Sequence, residues 1–318
     1  LWLDPARVKG DDSSAPGRAR AAIARLNDVP ESEVVLTAGA AHAIWLACAS
    51  VLRAGDDVLL EHPHYEPLRT SPELAFANVR TFDVLAEAPP GDLPNRVARA
   101  LRDDTRLVIL SSLHNPTGHR RSDDDLRSIA ALLRPRGAYL LVDEIYAPFD
   151  ALSYTSGLSS ARKLGDNVLA VSSLTKTLGL GQHRIGWLLA SEAVVSRAFD
   201  VSLSSIGFLP LSHAEIACLA MEHLGPLSTR ALVDLKEKRA LVEAFIRAVP
   251  GLSWSAPESG LFGFAWYGDG RDLGPALLTA PQKEQVIVAP GLFFGVPSGF
   301  RISWSGAREK ITPGLEQI

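Results

Sequence analysis

Arg106-Leu-Val-Ile-Leu-Ser-Ser112, Ser122-Asp-Asp-Asp-Leu-Arg-Ser-Ile-Ala-Ala-Leu-Leu133 and Ala138-Tyr-Leu-Leu-Val142 spell out a strand, a helix and a second strand. The outer two are apolar runs of strand length. In the middle segment Ser122 and Asp125 form a capping-box start, and Leu126, Ile129, Ala130 and Leu133 fall on one helical face. Pro135 and Gly137 end the pattern. A strand–helix–strand unit of this length places its two strands parallel and buried on both faces. A third apolar strand, Val168-Leu-Ala-Val171, follows a more irregular link.

Upstream, Val34 to Leu52 contains no Asp, Glu, Lys or Arg, and its length is near the roughly 20 residues of a membrane span. Thr37, Gly39, His42 and Ser50 interrupt it. It is therefore expected to be a buried strand, a tight turn at Gly39 and a buried helix, with no membrane partner. Downstream, a helical pattern rich in Lys, Arg and Glu covers Leu227 to Val249. After Pro250-Gly251 the signals change to short strands, at Leu261–Trp266, Val286–Val288 and Phe300–Trp304. The expected architecture is α/β. A large domain over residues 14–225 holds a mixed, mostly parallel sheet covered by helices. A smaller α+β domain takes residues 226–318, joined by residues 1–13.

Composition agrees with a globular protein of this size. The 318 residues are 47% hydrophobic and 21% charged, with a net charge of −4 and scattered basic residues. Nothing there favours a nucleic-acid partner. Cys48 and Cys218 lie in apolar, helix-like stretches and are expected to be buried reduced thiols, which suits a cytoplasmic protein. No charged-then-apolar leader follows Leu1.

The three middle strands all end in polar residues. The first runs into His114-Asn115-Pro116-Thr117-Gly118, the second ends in Asp143-Glu144-Ile145-Tyr146, and the third ends in Ser172-Ser173-Leu174-Thr175-Lys176. Parallel strands bring these residues to one edge of the sheet, where ligands of open α/β sheets bind. Other readings of the pieces lack their partners. Leu-Leu-Val-Asp143-Glu144 resembles the Mg-binding strand of a P-loop ATPase, but no Gly-x-x-x-x-Gly-Lys-Ser/Thr occurs. Ser173-Leu-Thr-Lys176 lacks the Ser-Asp-Asn and Lys-Thr-Gly of penicillin-binding proteins. His62-Pro-His64 is half a metal site at most, so no metal is expected.

A buried lysine loses its charge readily and can form a Schiff base with a carbonyl. A buried aspartate needs a cation, and a protonated pyridine nitrogen would serve and would turn the ring into an electron sink. Gly39-Ala40-Ala41 opens an apolar helix after the strand Glu33–Thr37, and the free N–H groups of a helix start suit a phosphate dianion. Arg184, beyond Gly179-Leu-Gly181, could add a bidentate contact.

With these residues the sequence resembles the fold-type I pyridoxal 5′-phosphate (PLP) enzymes, and among them the class I and II aminotransferases, from about Gly17 to Ser305. Ser173-Leu-Thr-Lys-Thr-Leu-Gly-Leu-Gly-Gln-His-Arg184-Ile-Gly-Trp is the most specific stretch, and Asn115-Pro-Thr-Gly118 and Asp143-Glu-Ile-Tyr146 come in the family's order. The resemblance implies PLP as cofactor and Lys176 as the Schiff-base lysine and proton shuttle. It makes Asp143 the partner of the pyridine nitrogen, and Asn115 and Tyr146 the donors to the ring's 3′-oxygen. Gly39, Ala40, Ala41, Ser173 and Arg184 become the phosphate cup. Tyr65 would stack on the ring, and Arg301, with Asn115, would bind the substrate α-carboxylate. Phe300-Arg-Ile-Ser-Trp304 alternates as a half-buried strand does, which sets Arg301 and Ser303 on the face opposite Phe300, Ile302 and Trp304. The family's usual N-terminal arm and its cross-subunit tyrosine have no counterpart around Gly10–Ser14, where Ser13 or Ser14 is the candidate substitute.

The implied activity is transamination between an amino acid and a 2-oxo acid by a homodimer. The segment Ser202–Leu211 is apolar enough to face a partner. The same motifs also serve lyase, decarboxylase, racemase and cyclase reactions. A PLP-binding regulatory domain needs a helix-turn-helix module, for which the residues before Gly39 are too few. His64, Gln182 and His183 are further polar residues expected near the pocket or in its outer shell.

Overall fold

Strands whose residues are buried on both sides read as continuous apolar runs, and among the described residues such strands form the middle of a seven-stranded sheet whose one edge, Asn78–Asp83, is polar and mostly unburied. The computed structural model describes residues 13–85, 92–149, 160–176, 180–283 and 286–317, with backbone only for 225–231 and 280–283. The first sheet comprises β1 (Val34–Thr37), β2 (Asp57–His62), β3 (Asn78–Asp83), β4 (Thr105–Ser111), β5 (Tyr139–Asp143), β6 (Val168–Ser173) and β7 (Gly186–Leu189). Its order is β1-β7-β6-β5-β4-β2-β3. Only β7 runs against the rest, antiparallel to both β1 and β6. The expected mixed, mostly parallel sheet is what forms.

Alternate residues of each strand supply the two faces. Val58, Leu60, Leu107, Ile109, Leu141, Leu169 and Leu188 pack with α2 (Ala40–Val51), α3 (Pro67–Leu74) and α6 (Glu192–Ser205). Leu59, Val108, Leu110, Leu140 and Val142 pack with α4 (Leu93–Ala100) and α5 (Asp123–Leu133). The Ser122 hydroxyl accepts the Asp125 N–H and caps α5 as its sequence implies. Next to this layer, Val34, Ala170 and Leu189 meet α1 (Ala15–Asn27) and the first half of α7 (Leu211–Ala248). Truncating a fully buried leucine such as Leu141 would cost about 2–5 kcal/mol.

The 38-residue α7 starts at Leu211, well before the expected Leu227. Its early part is the apolar, buried part, and it lacks the polar stripe that makes the later turns legible. Its later residues Leu235, Val242 and Ile246 pack with Phe262, Phe300, Ile302 and Trp304. These last belong to, or directly follow, an antiparallel sheet of order β10-β11-β9-β8. Its strands are β8 (Leu252–Trp254), β9 (Phe262–Tyr267), β10 (Ala289–Pro290) and β11 (Gly299–Ser303), accompanied by α8 (Gly274–Lys283) and α9 (Arg308–Leu315). Val286–Val288 is not a strand: pairing begins at Ala289, opposite Arg301, and Ile287 is exposed. The expected domain division after residue 225 falls inside α7. Residues 1–12, assigned to the smaller domain, lie outside the described residues.

Both cysteines are free, but only Cys48 is fully buried. Cys218 is half-buried in α7 near the backbone of Ala15. Among the described residues no helix is long and apolar enough to cross a membrane.

Candidate active site

Six of the seven large-sheet strands point one way, so the ends of β1, β2, β4, β5 and β6 and the start of β7 share an edge. β1 leads through Gly39 into α2. Gly39 adopts φ +82 as the residue before the helix. The N–H groups of the first turn, Ala40 and Ala41 included, lack carbonyl partners inside the helix and point outward from its positive end. Arg184, just before β7, lies over the same spot. A Cβ on Gly39 would come 2.5 Å from its Nη2, and that nitrogen donates to the Ala38 carbonyl at 3.3 Å. β7 can pass because residue 186 is also glycine: a Cβ there would sit 2.5 Å from the Gly39 carbonyl carbon. Gly186 pairs with Thr37 on one side and Ser173 on the other, which brings Ser173 beside the helix start. The structure therefore gathers Gly39, Ala40, Ala41, Ser173 and Arg184 around one helix start. Thr177–Gly179 lie outside the described residues.

Asp143 ends β5 and is buried. Its Oδ1 accepts the Ile145 N–H at 3.1 Å, and among the described residues no cation pairs with it. Burial, helped by the nearby Glu61 charge and opposed by the Ile145 N–H, pushes its carboxyl up to about 7. Lys176, exposed just past β6, has its amine lowered by desolvation and by the charge of Arg301. Tyr146 is buried and its phenol rises to about 12 through burial, with Arg301 within hydrogen-bonding range of its oxygen. Tyr65, two residues after Pro63, is 42% exposed. It feels Asp143, Arg184 and Arg301, and desolvation raises its phenol.

Arg301 comes from β11 of the other sheet, on the face opposite the buried Phe300, Ile302 and Trp304. Its Nη1 donates to Asn115 Oδ1 at 2.8 Å, so the Asn115 amide nitrogen remains a donor. Lys176, Asp143, Tyr146, Tyr65, Asn115 and Arg301 thus converge. Of the three further polar residues, His64 is buried with an unpartnered Nδ1, while Gln182 and His183 are exposed. Ser14 receives Arg18 and heads α1, whereas Gly10–Asp12 lie outside the described residues. Among the described residues no group of three metal-ligating side chains forms.

Sequence reasoning missed a buried layer beneath these residues. Glu61, at the end of β2, accepts the Ser111 N–H and hydroxyl and pairs with Arg121 at 2.8 Å. His114 Nε2 donates to the Pro63 carbonyl at 2.9 Å, so its Nδ1 accepts from Thr117 at 2.7 Å. Burial, reinforced by Arg121, holds its imidazole well below the usual range and hence neutral. This layer ties the turn carrying Asn115 to the loop carrying Tyr65. A carboxylate closing an apolar strand, Asp57–His62, was the available signal.

The donor set suits pyridoxal phosphate. A helix start with an arginine takes a dianion, the buried carboxylate without a cation takes a protonated ring nitrogen, and a lysine of lowered basicity takes an aldehyde.

The chain matches the model of the family described as aminotransferase class I and II over residues 16–318. It is 24% identical to an aspartate aminotransferase of Musicola paradisiaca (strain Ech703), with 91% of this chain and 73% of that protein covered. It is 27% identical to a capreomycidine synthase of Streptomyces vinaceus, with 99% and 81% covered. The solved structure of a PLP-dependent aminotransferase from Streptococcus suis 89-1591 aligns at a TM-score of 0.85 and 25% identity, over 95% of this chain and 80% of that one. The fold is therefore that of the fold-type I PLP enzymes, and the chain belongs to the class I and II aminotransferase family as a PLP-dependent aminotransferase.

Proposed function

We propose that this edge of the sheet transfers the amino group of an α-amino acid to a 2-oxo acid. The observation that carries the reading is the convergence of Asp143, buried without a cation, with Lys176 and Arg301. Bound PLP would supply an electron sink for the electron pair left at the substrate Cα.

The residues divide the work. Lys176 Nζ would hold the cofactor, and it is the amine placed to move a proton at the substrate Cα. Its lowered basicity favours both roles. Asp143 holds the proton on the ring nitrogen. Asn115, whose Oδ1 is taken by Arg301, offers its amide N–H to the ring oxygen. Tyr146 stays protonated at neutral pH and donates beside it. Gly39, Ala40 and Ala41 bind the phosphate through the helix start, with Ser173 and Arg184. Tyr65 covers the ring. Arg301 binds the α-carboxylate through its two parallel N–H groups.

The test is spectroscopic. Purified holoenzyme is mixed with a panel of amino acids, and the cofactor should convert to its aminated form with release of the matching 2-oxo acid. Borohydride reduction before peptide mapping should leave the pyridoxyl group on Lys176; finding it on Lys163 would refute the attachment site.

The match to a capreomycidine synthase along nearly the whole chain favours a second reading, in which the same site catalyses a lyase, decarboxylase, racemase or cyclase step. A product formed without release of the matching 2-oxo acid would select it.

The reading extends to organisation. We assign residues 14–225 to a large unit around the seven-stranded sheet and residues 226–318, with 1–13, to a smaller unit around the four-stranded one. A homodimer is supported by the exposed Phe199, Leu203, Ile206 and Phe208. Phe199 and Phe208 line a cleft of about 530 Å³ beside the edge strand β1. Isologous dimers are also the commonest oligomers. Two free cysteines suit the cytoplasm.

A further inference from the structure

Pro290-Gly-Leu-Phe-Phe-Gly295 leads from β10 toward β11, and glycines close in both ends of its single helical turn, Gly291–Phe294. A Cβ on Gly291 would lie 2.0 Å from the Val296 carbonyl oxygen and 2.3 Å from that of Gly299. Gly295, at φ +79, presses on the end of β2, where a Cβ would lie 2.5 Å from His62 Cε1. Larger residues at either point would push the turn away from the large sheet.

Held there, the turn buries Phe294 with its ring centroid 5.4 Å from the Arg301 guanidinium carbon. Phe262, on β9, presents a second ring at 4.9 Å. Each ring is itself braced edge-on: Phe264 meets Phe294 at 6.1 Å, and Tyr146 meets Phe262 at 4.7 Å. The guanidinium donates to Asn115 and lies within hydrogen-bonding range of the Tyr146 oxygen, and its Nε is buried without a partner among the described residues. Two aromatic faces, one amide and one phenol therefore set its direction. Aromatic faces attract a guanidinium, and they exclude water that would weaken its pairing with an anion.

We propose that Phe262 and Phe294 form an aromatic collar that aims the Arg301 fork, with Phe294 a positioning residue for the selection of substrates bearing an α-carboxylate. The inference rests on Arg301 being the carboxylate-binding group. Phe294 acts through Arg301, so its loss should weaken recognition of the carboxylate and leave the chemistry at the cofactor untouched.

The test compares two carbonyl reagents that attack the holoenzyme cofactor, aminooxyacetate with a carboxylate and hydroxylamine without one, followed by cofactor absorbance. For Phe294→Leu the ratio of their second-order rate constants should fall roughly 3- to 30-fold. KM for amino acids should rise by a similar factor while kcat changes less than about 2-fold. Phe294→Tyr, which keeps the ring face, should restore the parent ratio. If Phe294→Leu does not fold, Phe294→Met carries the same comparison. Equal slowing of both reagents, or an unchanged ratio, overturns the collar. Arg301→Ala separates the two ideas. If it leaves the ratio intact, the carboxylate reading falls and takes the collar with it. If it collapses the ratio while Phe294→Leu does not, only the collar falls.

Discussion

Replacing Asp143 by Asn removes a carboxyl that the fold holds at a cost. In the folded, cofactor-free protein Asp143 keeps its proton to about pH 7, because burial disfavours its charge. Unfolded, it releases that proton near its ordinary 3.8. Across this window the folded state binds more protons than the unfolded one. The contribution of Asp143 to stability is therefore fully present below pH 4 and is lost as pH rises toward 7. The whole loss is on the order of 4 kcal/mol. The Asp143→Asn variant has nothing to titrate there, and its Oδ1 can still accept the Ile145 N–H. Glu144, also raised to about 7 by burial, is present in both proteins and largely cancels. Urea unfolding of the cofactor-free proteins between pH 5 and pH 8.5 should show the variant gaining about 2–3 kcal/mol on the parent over that range. Saturating PLP should reverse the trend, since a protonated ring nitrogen gives the ionised Asp143 its cation. The variant should still bind cofactor, but Cα deprotonation should slow by orders of magnitude. A stability difference that does not change with pH would refute the assignment of Asp143 as a buried carboxyl waiting for a cation.

Other substitutions probe the remaining parts of the site. Arg301→Lys keeps the charge but loses the fork, and should lower kcat/KM strongly with the resting cofactor spectrum unchanged. Arg301→Ala should lower it further, by about 2–5 kcal/mol in transition-state binding; steady-state kinetics that match the parent would count against the clamp. Gly186→Ala drives a methyl into the Gly39 backbone, and should destabilise the fold by about 2 kcal/mol or more while weakening PLP affinity, measured by urea unfolding and cofactor titration. Phe208→Glu puts a charge on the exposed apolar cleft, and light scattering at micromolar concentration should shift from dimer toward monomer; a fully active monomeric parent would remove the dimer proposal.

The large sheet was legible because its signals are local. An apolar run of strand length, a capped amphipathic helix and a second apolar run declare a parallel unit without reference to the rest of the chain, and β4, α5 and β5 form within a residue or two of where those patterns lie. Asp143 and Lys176 could be picked out for the same reason, as polar residues at the ends of apolar strands. Where local character misled, the environment explains it. Val286–Val288 has strand composition but pairs with no strand among the described residues. The early turns of α7 bury themselves against α1 and lose the polar face that would have announced a helix.

The sequence by itself determined the class of fold and a set of polar donors at the strand ends, because periodicity and strand-end chemistry depend on residues close together in the chain. Only the tertiary structure decided how those donors are aimed. β7 inserts antiparallel between β1 and β6, and that insertion delivers Arg184 to the start of α2. Glu61 finds Arg121 and Ser111 beneath the site. Arg301 meets Asn115 from a position 186 residues away, between Phe262 of its own sheet and Phe294 of the turn before it. Contacts between distant segments are set by how two sheets pack, and packing depends on the shapes of all the side chains between them, which no local pattern encodes.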